Sequence, residues 1–304
     1  MSTNPLISVI IPHFNSQESL KKLVASIPDD PRVEILIVDD RSEVEISESL
    51  FEERDNVKVY LNTGVKGAGA ARNVGLDNCS GEWLLFADAD DYFVEGAFNI
   101  ILNDIKDNYL VDIIYYKPTS INLINNKVGK RHLSYEKLIL EANDKFEEEQ
   151  INNIKFKFFV PWSKLINRDI VTKNNIKFDE VLFSNDVMFS VQVGYFSKNI
   201  KISEDVIYCV TEGEDSLTKN KNKNALLTRL DVTFRSNDFL KQHRMDKYRA
   251  PCLNYIIWSK RFGFLFFIKT LMKVILLRQK ILPRIRKEYF LNPTSLINKI
   301  NGFK

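Results

Sequence analysis

Residues 86–93 read FADADDYF and set Asp88, Asp90 and Asp91 directly behind the apolar run Trp83-Leu84-Leu85-Phe86. Carboxylates this close repel: at about 4 Å a pair costs roughly 4 kcal/mol at a protein-like dielectric. Either a cation shares them or they splay into water. Hard oxygen ligands of this kind suit Mg2+ or Mn2+, which take one or two carboxylates and complete their shell with substrate phosphate. The plainer reading is that the aspartates cap a turn or the next helix. That reading leaves a second acidic pair unexplained, Asp39-Asp40, which follows Ile35-Leu36-Ile37-Val38. A carboxylate at a strand end can accept from a base N–H or a ribose hydroxyl.

The elements that must position these groups alternate. Ile7–Ile11, Val33–Val38, the alternating Val57, Val59 and Leu61, Trp83–Ala87 and Asp112–Tyr116 are expected strands. Between them, Leu20, Leu23, Val24 and Ile27 fall at helical spacing behind Asn15 or Ser16 as N-cap. Glu45–Arg54, Ala68–Asn78 and Gly96–Asn108 are further expected helices. The pattern predicts an α/β fold, a Rossmann-like, mostly parallel sheet with helices on both faces. Ligands bind beyond the carboxyl ends of such strands. Pro12–Asn15, Asp39-Asp40 and Asp88–Asp91 therefore fall on one edge.

Beyond residue 117 the sequence predicts a hairpin over Ile121–Lys130, a helix over Ser134–Gln150 with a solvated acidic end, a turn at Pro161–Lys164, a helix over Asp186–Tyr195 and a strand at Ile207–Val210. A helical extension interrupted near Pro251 and Pro283 follows. The expected divisions are 1–117, 118–220 and 221–304. Gly67-Ala68-Gly69 opens a helix as a dinucleotide fingerprint would, but Arg72 occupies the third glycine position and the first strand is followed by HFNSQES. A helix start with Arg72 one turn in still suits a diphosphate.

The chain has 304 residues, 44% of them hydrophobic, and a formal net charge of +3. Cys79, Cys209 and Cys252 are scattered and only His13, His132 and His243 are present, which argues against a zinc site or a disulfide scaffold. The opening MSTNPLISVIIP has no basic stretch leading into a long apolar run, so no signal peptide is expected.

ISVIIPHFN, ILIVDDRS and GAGAARNVGLDNCSGEWLLFADADD resemble, in order and spacing, the nucleotide-sugar-binding domain of family 2 glycosyltransferases, inverting enzymes of the GT-A fold. PWSKLINRDIV and NNIKFDEVLFSNDVMF extend the likeness toward bacterial polysaccharide-assembly members. The resemblance implies that Pro12, Phe14, Asn15, Asp39 and Arg72 meet the nucleotide, and that Asp88 and Asp90, with Asp91 beside them, form the metal and ribose motif for Mn2+ or Mg2+. It carries the catalytic-base role to Asp186 and an acceptor role to Asn185, with Trp162 offering a stacking face or a core anchor. The donor it implies is a nucleotide-sugar, UDP by family habit; the acceptor is a saccharide or lipid-linked saccharide. The sequence departs from the pattern at Arg41, where Gly is usual, and at Asn185, where an acid is usual. A non-catalytic nucleotide-sugar-binding scaffold and a nucleotidyltransferase of similar fold stand as alternatives.

The last stretch is basic: residues 260–304 hold eleven Lys/Arg and one acid, Glu288. On one continuous helix Lys269, Lys273, Lys280, Arg284 and Lys287 would share a side, unless Pro283 breaks it. Such a segment suits the surface of an anionic membrane or, equally, a solvated helix face. The run Phe262–Ile268 is far below the ~20 residues of a spanning helix. The expected location is cytoplasmic, with peripheral contact at the inner face of the cell membrane and no nucleic-acid partner.

Overall fold

The computed structural model describes residues 5–107, 110–213 and 221–282. The chain divides into two compact units, 1–219 and 220–304.

The first unit is built on one sheet. Strands β1 (Ile7–His13), β2 (Val33–Asp39), β3 (Val57–Leu61) and β4 (Trp83–Phe86) are followed by β5 (Tyr92–Phe93), β6 (Ile113–Asn122), β7 (Lys127–Val128), β8 (Lys164–Asn167) and β9 (Ile200–Glu212). Their order is β3-β2-β1-β4-β8-β6-β9-β5, with β7 hairpinned onto the end of β6. The first four strands are parallel, as the alternation predicts, with His13 opposite Asp39 and Ile10 opposite Phe86. Beyond β4 the sheet is mixed: β8 runs antiparallel between β4 and β6, whereas β9 runs parallel to β6. Ile7, Ile10, Ile35, Leu36, Leu84 and Ile114 are buried, because helices cover both faces of these strands.

The helices of this unit are α1 (Gln17–Ala25), α2 (Ala68–Asn78), α3 (Ala97–Asp107), α4 (Leu133–Asp144), α5 (Glu148–Lys157), α6 (Arg168–Lys173) and α7 (Val187–Phe196). Two expected helices differ. Glu45–Arg54 forms only a single tight turn, Glu48–Phe51. The Glu48 carboxylate there accepts from the Val59 N–H on edge strand β3, and Ser47 and Ser49 bond each other, so local polar groups compete with a helix. Ser134–Gln150 is two helices, split at Lys145–Glu147. The acidic run lies at the start of α5, where carboxylates offset the positive helix end, and not at the finish of one long helix.

The second unit holds α8 (Lys223–Gln242), α9 (Leu253–Ser259) and α10 (Phe264–Leu276). Leu226, Leu230, Phe234, Cys252, Ile256 and Val274 form its core. The expected basic stripe stops early. Arg278 adopts φ 50°, and the chain turns back so that Lys280 and Ile281 accept from the backbone of Cys252 and Leu253. Lys280 is therefore off the helix axis that carries Lys269 and Lys273; Pro283, Arg284 and Lys287 lie outside the described residues. No helix among the described residues is long and apolar enough to cross a membrane.

α2 is the element that ties the two sides of the sheet. A Cβ on Gly69 would stand 2.1 Å from the Asp179 carbonyl oxygen and 2.9 Å from Asn185 Cβ, so this glycine serves close approach of the 179–185 loop. Gly69→Ala is expected to cost about 2 kcal/mol by overpacking and to lower Tm by roughly 4–8 °C; an unchanged melting curve in differential scanning calorimetry contradicts this packing.

Candidate active site

The carboxyl ends of β1, β2 and β4 open on one edge, as parallel register demands. Asp39 is buried at the tip of β2 and accepts from Ser42 Oγ at 2.5 Å. Ser42 Oγ in turn accepts from the Asn15 N–H, and the Asn15 side-chain oxygen accepts from the Glu43 N–H, which laces the loops after β1 and β2 together. Asn15 therefore serves as a tether, at φ 50°; the N-cap position of α1 is Ser16, whose hydroxyl meets His13 Nδ1. Arg41 adopts φ 63°, the left-handed conformation a glycine would take, so the turn is kept without one. Pro12 is half-buried beside this edge, and Phe14 is 45% exposed with the Lys66 ammonium 3.8 Å over its ring. An open cleft lined by Asp39, Ile46, Tyr60 and Leu61 lies against the same strand tips.

Asp40 turns the other way. It accepts from Asn62 Nδ2 and from the Gly67 N–H at 2.8 Å, and so fixes the entry to α2. One turn into α2, Arg72 is 5% exposed. Its Nη2 donates to Asp88 at 2.5 Å and its Nη1 to the Asn185 side-chain oxygen at 2.9 Å. Its Nε is buried without a partner among the described residues, and Phe178 lies against the guanidinium. Asn73, the next residue, exchanges two hydrogen bonds with the backbone of Phe178. Three sequence clusters, from residues 72, 88 and 185, thus meet at one guanidinium.

The three aspartates of the turn after β4 have separate surroundings. Asp90 is the most open. Asp88 is half-buried, with one oxygen on Arg72. Asp91 is 2% exposed; its two oxygens accept from Tyr208 Oη at 3.0 Å and from the Thr211 N–H at 2.7 Å. This corrects the expectation of Asp91 as a metal ligand, since its carboxylate points under the turn. Tyr208 Oη also accepts from the Asp88 N–H, and Thr211 Oγ1 donates to the Asp90 carbonyl, so β9 holds the whole turn. Burial, then the charges of Asp90 and Asp88, raise the Asp91 carboxyl well above the usual carboxylate range. Desolvation and the charge of Asp88 raise Asp90 as well.

Among the described residues no cluster of three His, Cys, Asp or Glu side chains is arranged to enclose a metal. The donor set that remains, Asp90 with the second oxygen of Asp88, fits an ion that keeps most of its shell for phosphate and water, as Mg2+ and Mn2+ do. It does not fit an all-protein cage.

Asp186 stands at the N-cap position of α7, yet its side chain makes no capping hydrogen bond. Burial raises its pKa, Asp88 adds to the rise, and Arg72 and Lys164 oppose it. Trp162 is 2% exposed and stacks on Tyr208 at 5.7 Å. The indole has no free face for a sugar, so its acceptor role is corrected to that of an anchor beneath the aspartate turn.

Several participants escape a sequence reading. Lys164 is fully buried, donates to the Phe158 carbonyl and to Ser190 Oγ on α7, and is pushed down to about 7 by burial against the charge of Asp186. Arg131 donates to the Thr211 carbonyl at 3.1 Å and lowers the pKa of both Asp90 and Asp91. Its backbone N–H is fixed by Glu212. Only the PWSK turn gave a local signal for Lys164; Arg131, Tyr208 and Thr211 gave none, because Tyr208 and Thr211 reach the turn from β9, far along the chain, and Arg131 acts from the turn before α4.

The chain belongs to glycosyl transferase family 2, whose model matches residues 8–174. It is a glycosyltransferase of the GT-A fold, which sets aside the scaffold and nucleotidyltransferase alternatives. A similar protein is the GalNAc(5)-diNAcBac-PP-undecaprenol beta-1,3-glucosyltransferase of Campylobacter jejuni, 27% identical over 263 residues that cover 83% of this chain and 80% of that one. The poly(ribitol-phosphate) beta-N-acetylglucosaminyltransferase TarP of Staphylococcus aureus is 27% identical over 71% of this chain and 67% of its own. In fold, the chain resembles S. aureus TarS 1-349 in complex with UDP-GlcNAc, with a TM-score of 0.69 at 20% identity, covering 89% of this chain and 81% of that one.

The raised carboxyl of Asp186 has a sign that can be measured. Its folded pKa lies above the unfolded value of about 3.9, so the folded state binds the proton more tightly and ionisation in the fold is a cost that appears as pH rises. Asp186→Asn removes that cost. Its Tm relative to the unmodified protein should climb as pH rises from ~4 toward neutrality; a difference that stays constant with pH contradicts the assignment.

Proposed function

We propose that the enzyme moves a sugar from a UDP-sugar to a hydroxyl of a saccharide or lipid-linked saccharide in bacterial cell-surface polysaccharide synthesis, with inversion. The observation that carries this reading is Arg72 joining Asp88 to Asn185, which brings a diphosphate-binding edge beside the carboxylate of Asp186. The base and ribose of the donor lie along Phe14, Pro12 and Asp39, with Asn15 holding the loop. The diphosphate faces Arg72, Asp88 and Asp90, with the charge of Arg131 acting on Asp90.

Asp90 and Asp88 would hold Mn2+ or Mg2+, which when bound neutralises charge on the leaving diphosphate. The remaining work falls to the chain. Asp186 accepts the proton of the acceptor hydroxyl as that oxygen bonds to the anomeric carbon, and the bond from that carbon to the diphosphate oxygen breaks. One displacement inverts the centre. Arg72 and Lys164 favour the ionised form of Asp186, which the reaction needs. Asn185 meets Arg72 with a neutral amide oxygen and not with a further carboxylate, and so leaves more of its charge for the diphosphate.

The UDP assignment is supported by the fold shared with TarS, whose structure holds UDP-GlcNAc. The acceptor class is supported by the names of the relatives from C. jejuni and S. aureus. Peripheral contact with an anionic membrane through the C-terminal unit completes the reading and brings the enzyme to a lipid-linked acceptor at the inner face of the cell membrane.

Asp186→Asn should reduce turnover by about 10²–10⁴-fold while the thermal shift induced by UDP with Mn2+ is kept. Asp90→Ala should abolish the Mn2+-dependent part of that shift, because only ligands of the native state raise its melting point. Native turnover in Asp186→Asn, or an intact Mn2+ increment in Asp90→Ala, would overturn these roles.

A further inference from the structure

Helix α10 is apolar on two faces. Phe266, Phe267, Thr270, Leu271 and Val274 turn inward, packed on or beside the core of the second unit. At 100° per residue, Phe264, Leu265, Ile268, Met272, Ile275 and Leu276 fall on the opposite side. All six are exposed: Phe264 is 75%, Leu265 76% and Leu276 72% open to solvent. A single exposed leucine needs no explanation, but a contiguous row of large side chains marks a surface that meets something.

Charge indicates what it meets. Arg261 and Arg278 stand exposed just before and just after the helix, Lys269 and Lys273 are exposed along it, and residues 260–282 contain no Asp or Glu. Lys269 and Lys273 share one flank of the helix. A second copy of the chain would bring a like-charged rim against this one, which opposes pairing. The segment 283–304 adds five more Lys/Arg and one acid, so it too lacks the complementary sign. An anionic lipid surface supplies both requirements at once, an apolar layer for the row and negative headgroups for the rim.

We infer that the outward face of α10 docks the enzyme on anionic lipid membranes, with Phe264, Leu265, Ile268, Met272, Ile275 and Leu276 entering the headgroup boundary and the basic rim resting on the headgroups. The inference deepens the membrane contact of the proposed function by naming its surface, and it stands on the second unit alone. The helix lies in the interface plane, since its thirteen residues cannot span a bilayer.

The test is co-sedimentation of the full chain with vesicles of phosphatidylcholine alone and of phosphatidylcholine with about one-third phosphatidylglycerol. Binding to the anionic vesicles should exceed binding to the neutral ones by roughly tenfold or more and weaken with salt. Leu265→Ser, Met272→Ser and Leu276→Ser combined should reduce that binding by roughly tenfold or more, and Arg261→Glu with Lys269→Glu should remove the preference for anionic lipid. The UDP thermal shift, which reports the first unit, should be unchanged in both variants. Its absence throughout would count against the donor reading while leaving the docking result intact. Equal vesicle binding by native and triple-serine proteins overturns the inference, as does native protein that binds no vesicle. Native protein that is dimeric in solution, becomes monomeric in the triple-serine variant and ignores vesicles would show a second copy as the occupant, and also overturns it.

Discussion

A buried guanidinium with two acceptors sets the geometry of the first unit. Arg72 sits on the helix that packs against the parallel strands and reaches both the turn after β4 and the start of α7. Removing an ion from water costs several kcal/mol even after the protein relaxes, so such a group persists where its partners are well placed. Here one partner is the Asp88 carboxylate and the other the Asn185 amide next to Asp186. One side chain thereby joins the turn after β4 to the start of α7, the two regions to which the proposed mechanism assigns the leaving group and the base, and its Nε still lacks a partner among the described residues.

The aspartate turn is held with comparable care from the opposite direction. Tyr208 and Thr211 on β9 supply hydrogen bonds to Asp88, Asp90 and Asp91, and the Trp162 ring backs the Tyr208 ring. Burial and the charge of Asp91 raise the Tyr208 phenol far above its ordinary range, so it stays a donor at every physiological pH. Asp91 spends its carboxylate on this support. The two aspartates left facing the edge are those whose ionisation a phosphate-bound cation would favour.

Much of this was legible in the sequence, for physical reasons. Parallel strands have a fixed polarity, so Asp39 and Asp88 had to share an edge once the alternation of strands and helices was read. The apolar run after Asp186 likewise placed the start of α7 to within one residue. What was hidden came from contacts across the sheet. Trp162 reads as a sugar platform or a core anchor with equal justice until the Tyr208 ring is seen beneath it. The acidic run at Glu147–Glu149 could close one helix or open another, and only the break at Lys145 decides for opening. The PWSK turn marks Lys164, but nothing local shows it buried, because the Ser190 hydroxyl that accepts from it and the charge of Asp186 come from later in the chain. The mixed half of the sheet was likewise out of reach, since β8 enters between β4 and β6 from eighty residues away.

The most direct measurement is anomalous diffraction from crystals grown with Mn2+ and a UDP-sugar. One manganese peak is expected on the Asp90 and Asp88 carboxylates, with the diphosphate between that peak and Arg72 and the Asp186 carboxylate on the face of the sugar opposite the diphosphate. A diphosphate bound away from Arg72, or a manganese peak remote from Asp90, would contradict this arrangement.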